Sequence, residues 1–345
     1  MFKNYLEKVI KGENLTVREM EEAMNAVMEG EISSSNLAGL LVALKIKGES
    51  IEEITGAAKV MRKKAMSVNY SGEVIDTCGT GGDGSNTFNI STAVTFILAA
   101  GGLTVAKHGN RSVSSQSGSA DVLEALGANL KLSPEQVKKC LQEVNIGFLF
   151  APAYHKAMKH AVKARKELGM RTIFNILGPL TNPADAEYQL LGVYGPHLVQ
   201  PMASALKNLG VKRAMVVHGA FGLDELSISG KNKIAFLKEE GRIKNMTLSP
   251  EKAGLKRADV GELKGGDAER NKKIILSVLA GETLGPKRDV LLLNAGAAFR
   301  VAGEVRKVSE GVEKAAALID NGEALKVLKN FVEYTNGFEA VEAVS

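Results

Sequence analysis

The sequence predicts an α/β protein, with a small N-terminal all-helical domain ahead of a larger α/β domain whose central, mostly parallel sheet is covered by helices. Three observations carry this. Residues 1–65 show helical spacing and capping patterns without a proline, and from Glu73 the pattern becomes strand, Gly-rich turn and helix. The chain's 345 residues, 45% of them hydrophobic, are enough to bury a large core and to fill two unequal domains, placed at 1–70 and 71–345.

In the helical part, Thr16 with Glu19 and Ser50 with Glu53 form capping-box patterns, and Gly30 and Gly48 stand where helices stop. Leu37, Leu40, Leu41 and Leu44 follow helical spacing and give an apolar face, which either packs within the domain or meets a second copy. The first proline is Pro134, so nothing interrupts these helices. Beyond Glu73, strands are expected at 74–77, 103–106, 146–150, 189–194, 214–218 and 234–237. Helices are expected at 134–144, 198–209, 268–280, 290–301 and 310–331, with Ser133 and Pro134 supplying a cap and a first-turn proline. Residues 154–183, a basic helix followed by a Gly/Pro/Asn-rich stretch, are not placed by pattern alone.

Composition excludes several classes. The net charge of +5 is modest, with both signs spread along the chain, which suits small anionic ligands and does not demand nucleic acid. Cys78 and Cys140 are the only cysteines, and no Cys/His cluster has zinc spacing. The N-terminus lacks the apolar core of a signal peptide and no apolar run reaches membrane-spanning length, so a cytoplasmic protein is expected.

The most informative stretch runs from Val74 to Asp121. A short strand ends in Cys78-Gly79-Thr80-Gly81-Gly82-Asp83-Gly84, whose glycines admit positive φ and let backbone N–H groups approach an anion. Asn89 to Thr92 supplies N-cap chemistry to the apolar run 93–100, so a helix N-terminus faces the same place. Lys107 to Arg111 then falls at the carboxyl end of a second strand, where open α/β sheets bind ligands. The spacing is neither a P-loop nor a Gly-x-Gly-x-x-Gly dinucleotide fingerprint, and the glycine run by itself reads equally well as a surface turn.

Taken together, Gly79-Thr80-Gly81-Gly82-Asp83, Asn89-Ile90-Ser91-Thr92, Lys107-His108-Gly109-Asn110-Arg111 and Ser117-Gly118-Ser119-Ala120-Asp121 resemble the anthranilate phosphoribosyltransferase family. Arg165, the run from Arg171 to Pro183, and Gly222-Leu223-Asp224-Glu225 agree in order and spacing, so the resemblance covers nearly the whole chain. It implies a nucleoside phosphorylase/phosphoribosyltransferase-like fold in which a segment near 155–183 completes the helical domain and leaves the active site between domains. It also implies transfer of phosphoribose from 5-phosphoribosyl 1-diphosphate (PRPP) to the amine of anthranilate, and a homodimer contact through the helical domain, with nucleic acid and membrane not expected as partners.

By the same resemblance, the PRPP site takes in Gly79, Gly82 and Asp83 of the loop, Thr87, and Asn89, Ile90, Ser91 and Thr92 at the helix start. It continues through Lys107, His108, Gly109, Asn110 and Arg111, then Ser112, Val113, Ser114 and Ser115, and closes at Ser119. Gly79, Asn110 and Arg165 are placed beside anthranilate, where an arginine pairs with a carboxylate in a two-pronged geometry that lysine cannot copy. Ser91, Asp224 and Glu225 are the ligands implied for Mg2+, two ions with the diphosphate, whose leaving charge a divalent cation stabilises.

Pattern alone reads Arg165 as part of a solvated basic face with Lys159, Lys163 and Lys166, and Asp224-Glu225 as surface charge. His108 either lines the acceptor pocket or is satisfied by the backbone. No His-carboxylate dyad or nucleophile elbow is evident, so no residue is assigned as general acid or base. Two competing readings are a pyrimidine nucleoside phosphorylase, whose Lys-His-Ser-Thr-Gly-Gly signature is not matched, and a nucleic-acid-binding paralogue of the same fold.

Overall fold

The computed structural model describes residues 2–112 and 116–338. Four helices open the chain: α1 (Phe2–Ile10), α2 (Val17–Met28), α3 (Ser34–Lys47) and α4 (Ile51–Lys64). Thr16 and Ser50 close reciprocal capping boxes with Glu19 and Glu53, satisfying amides that a helix start leaves without partners. Glu53 goes further. Its fully buried carboxylate also accepts from Leu15 N at 2.9 Å and pairs with Lys47 Nζ at 2.8 Å, joining the α1–α2 turn, the end of α3 and the start of α4.

The second part is built on a sheet of seven strands among the described residues, β1 (Ile75–Gly79), β2 (Val105–Gly109), β3 (Ile146–Phe150), β4 (Tyr188–Gly192), β5 (Arg213–His218), β6 (Asn232–Leu237) and β7 (Ile243–Leu248). Their order is β3-β2-β1-β4-β5-β6-β7, parallel from β3 to β5 and antiparallel at β6 and β7. The intervening helices are α5 (Ile90–Ala100), α6 (Ser119–Ala125), α7 (Pro134–Val144), α8 (Ala151–Tyr154), α9 (Lys159–Leu168), α10 (Phe174–Leu177) and α11 (Val199–Asn208). Helices α12 (Ala268–Leu279), α13 (Pro286–Ala302), α14 (Val308–Asp320) and α15 (Glu323–Asn336) complete the chain.

Strand alternation sorts side chains onto two cores. On β5, Met215 and Val217 join α5 and α12 to α15, while Ala214 and Val216 face α11 and the N-terminal helices. Helices α9 and α10 belong to the second core: Ala161, Ala164, Phe174 and Leu177 are buried with Leu37, Leu40, Leu41 and Leu44 of α3. Those four leucines are therefore interior to the chain, and among the described residues the large apolar side chains left exposed on these helices are Ile10, Ile46 and Val162, 66%, 82% and 53% exposed.

Several expected bounds shift for physical reasons. The second strand begins at Val105, not Leu103, because Leu103 N still bonds Leu98 O as the chain leaves α5; Lys107, His108 and Gly109 consequently lie within β2 and not beyond it. The helix expected over 310–331 is two, broken where Gly322 adopts φ +79°. Strand β7 has no apolar run, being exposed at Lys244, Asn245 and Thr247, and the sequence gives no sign of it.

Candidate active site

Strand β1 is the point where strand order reverses: the chain moves through α5 to β2 on one side, while β4 pairs on the other. Open α/β sheets bind ligands at the carboxyl end of such a strand. Here Gly79 is in register with Gly192 of β4, and the next residue donates Thr80 N to Gly192 O at 2.9 Å. Gly81, Gly82 and Gly84 all take positive φ, turning successive amides across the end of the sheet. Tyr194 N donates to Thr80 Oγ1 at 3.0 Å, and the Arg171 guanidinium donates to Gly82 O while stacking 4.2 Å from the Tyr194 ring centre. Arg171 and Gly192 are contributors that sequence reasoning missed, although Arg171 opens one of the motifs.

The N-terminus of α5 faces the same region, but its cap differs from expectation. Asn89 makes no side-chain cap; its amide spans to Ser117 O at 3.1 Å and its oxygen accepts from Asn271 Nδ2 at 2.9 Å. The carboxylate of Glu225 takes over, accepting from Ser91 N at 3.2 Å. Ile90 N bonds locally to Phe88 O, and Thr92 is buried with an unpartnered hydroxyl. Thr87 pairs as an isolated bridge with Lys264, which ties the loop to the start of α12. Lys107 is buried, not mobile: its ammonium donates to Thr77 O at 2.5 Å and Ser91 Oγ at 3.3 Å.

Three carboxylates converge opposite these amides. Asp224 Oδ2 accepts from Gly81 N at 2.6 Å, and Asp83, whose carboxylate holds Ser85 N at 3.1 Å, lies beside it. Burial, then repulsion from Asp83, pushes the Asp224 carboxyl up to about 7. Burial and the Asp224 charge raise Glu225 to about 8, with Lys107 opposing. Such a surplus of hard oxygen charge fits a divalent cation. Among the described residues no three acid, His or Cys side chains form a complete cage, so ligand oxygens and water would supply the remaining positions, as magnesium prefers. A side chain at Gly79 or Gly192 would overlap Asp224, so both glycines are required by its position.

Around this centre, His108 Nδ1 contacts Gly178 O at 3.2 Å and its ring lies 5.1 Å from that of His155. Both rings are buried and each leaves Nε2 without a partner. Burial lowers His108 to about 3 and His155 to about 4. Beyond Gly109, Asn110 N and Ser119 Oγ are hydrogen bonded at 3.2 Å, whereas the Arg111 guanidinium is engaged by Asp121 and Glu124 of α6 and turns away from the glycine loop. Ser112 N donates to Asp121 Oδ2 at 3.0 Å; Val113, Ser114 and Ser115 lie outside the described residues. Arg165 stands over the Phe174 ring at 5.3 Å, partly desolvated and, among the described residues, without an acidic partner.

Known proteins resemble this chain in sequence and fold. Residues 71–325 match the model described as glycosyl transferase family, a/b domain, and residues 3–65 that of the helical bundle domain. The anthranilate phosphoribosyltransferase of Petrotoga mobilis is 60% identical, covering 97% of each chain. The chain belongs to the anthranilate phosphoribosyltransferase family. The anthranilate phosphoribosyltransferase of Acetivibrio thermocellus is 52% identical over the full length of both chains. The crystal structure of anthranilate phosphoribosyltransferase from Thermus thermophilus superposes with a TM-score of 0.91 at 45% identity, covering 96% of this chain and 99% of that one. Anthranilate phosphoribosyltransferase from Saccharomyces cerevisiae in complex with PRPP and Mg superposes at 0.90 with 28% identity, covering 98% of each.

Proposed function

We propose that this chain transfers the phosphoribosyl group of PRPP to the amino group of anthranilate, giving N-(5-phosphoribosyl)anthranilate and diphosphate on the way to tryptophan. The observation that carries the reading is the meeting of two backbone anion-binding elements, the glycine loop and the α5 terminus, with the Asp83, Asp224 and Glu225 carboxylates. A nucleic-acid-binding role leaves that convergence unexplained.

In this reading Gly79, Gly82, Asp83, Thr87 and residues 89–92 cradle PRPP, Lys107 adds a positive charge, and residues 108–112 with Ser119 line the rest of the donor site. Arg165 pairs with the anthranilate carboxylate and Gly79 and Asn110 flank its ring. The partly desolvated guanidinium of Arg165, without an acidic partner among the described residues, supports this, because a half-buried cation lacking a counter-charge is poised for an anion. Asp224 and Glu225, with the Ser91 hydroxyl, hold magnesium; their facing different amides suits two ions. Asp224, Glu225 and the Ser91 hydroxyl would hold a divalent cation there, which would supply stabilisation of the negative charge that diphosphate gains as the C1–O bond breaks.

The chain's own residues do the rest by placement. Amides of the loop and of α5 supply donors for the phosphate charge. Arg165 fixes the acceptor so that its neutral aromatic amine meets C1; the C–N bond forms as C1–O breaks, and the amine's surplus proton departs to solvent or diphosphate. No residue acts as an obligatory general base. The reading extends to a cytoplasmic homodimer joined through the helical domain, for which Ile10 and Ile46 supply apolar contact surface; among the described residues no helix is long and apolar enough to cross a membrane.

The test is the loss of anthranilate fluorescence on mixing with protein, PRPP and magnesium. Rapid loss that a chelator abolishes is the expected result. Fluorescence that stays constant with all components present removes the proposal.

A further inference from the structure

The two amides best placed to receive phosphate oxygens are already engaged by the protein's own acids. Asp224 Oδ2 accepts from Gly81 N at 2.6 Å, and Glu225 Oε1 accepts from Ser91 N at 3.2 Å. Though adjacent in sequence, the two side chains serve two separate elements, the glycine loop and the first turn of α5. The seating is built in from several sides. Gly79 and Gly192 lack the Cβ atoms that would overlap Asp224. Asn89, the residue placed to cap α5, is turned instead to Ser117 and Asn271, leaving that terminus to Glu225.

We infer that Asp224 and Glu225 stand where diphosphate oxygens bind, and thereby make the site selective for the metal complex of its donor over the metal-free anion. This rests on the reading of the site as a PRPP site and adds a role for two of its acids. At about pH 9, above the values to which both acids are raised, a metal-free diphosphate must displace a carboxylate from each amide and then lie against both, like charge beside like charge. The Lys107 ammonium, held by Thr77 O and Ser91 Oγ, offsets the charge of Glu225 alone of the three carboxylates. Drawn instead toward a divalent cation, the two carboxylates release their amides and cease to repel the ligand. The same pair thus excludes one form of the donor and admits the other.

Isothermal titration with inorganic diphosphate at about pH 9, where both acids are ionised, tests this without turnover. The parent protein should bind diphosphate with magnesium and at least tenfold more weakly in chelator. An Asp224→Ala/Glu225→Ala variant should bind metal-free diphosphate at least tenfold more tightly than the parent does in chelator. The near-isosteric Asp224→Asn/Glu225→Gln variant, which keeps an acceptor at each amide but no charge, should fall between, and it guards against misfolding of the alanine form. The inference is overturned if neither variant gains metal-free affinity, or if the parent binds equally well in chelator. A parent that binds no diphosphate even with magnesium overturns the donor-site reading as well.

Discussion

Arg165 shows how one residue can look like background in sequence and stand apart in structure. Among Lys159, Lys163 and Lys166 it reads as one more solvated cation, yet those lysines are exposed while Arg165 is partly desolvated over Phe174. Helical phase separates them, and charge composition does not. Losing a charge-assisted hydrogen bond is worth roughly 1.5–3 kcal/mol, so Arg165→Ala should lower kcat/KM for anthranilate by about tenfold to a hundredfold or more while sparing KM for PRPP. Arg165→Lys should recover little, since an ammonium cannot present a planar fork. Steady-state kinetics in both substrates decide it, and equal effects on both KM values would place Arg165 elsewhere. Gly192 and Asn271 escaped sequence reading for another reason. Their roles are created by neighbours more than 30 residues away, Asp224 for the glycine and Asn89 for the asparagine.

At the scale of elements, local chemistry was legible and tertiary pairing was not. Capping boxes at Thr16 and Ser50 and the cap at Ser133 formed as their patterns foretold, because each closes within four residues. Glu53 also took on partners that no window reveals, Leu15 N and Lys47. Removing a member of a buried pair typically costs about 3–5 kcal/mol, so Glu53→Ala should cost about that much and be read as a large drop in denaturation midpoint. A midpoint unchanged from the parent would show that the junction of α1, α3 and α4 does not depend on it.

The loop after β5 makes a second prediction at this scale. Asp224 and Glu225 have pKa values raised to about 7 and about 8, so the stability they contribute is complete below their unfolded values and is lost as pH rises through the folded ones. His108 and His155, lowered to about 3 and about 4, act in the opposite sense: their contribution is complete above the unfolded value of 6.5 and is lost as pH falls through the folded values. Above pH 6.5 the histidine contribution fades as the unfolded value is passed and the carboxylates set the sign of the change. The melting temperature of metal-free protein should decline from pH 6.5 to about 8.5, and Asp224→Asn/Glu225→Gln should flatten that decline. A parent curve already level across that range would contradict the raised values.

For the whole molecule, one face of the sheet and the helical bundle share a core, and the segment from His155 to Pro183 binds them together. Its Leu180 O and the distant Leu209 O receive the Arg62 guanidinium at 2.7 and 3.4 Å, while its Gly178 O and Arg171 reach His108 and the glycine loop. Periodicity could not place this segment, since its Gly/Pro/Asn-rich half forms only short turns of helix. The central claim concerns the whole reaction, and the most direct measurement is the amount of diphosphate released for each anthranilate consumed with magnesium present, with the product weighed by mass spectrometry. The account predicts a one-to-one ratio and a product heavier than anthranilate by one phosphoribosyl group. Diphosphate release that leaves anthranilate unchanged, or no release at all, would contradict it.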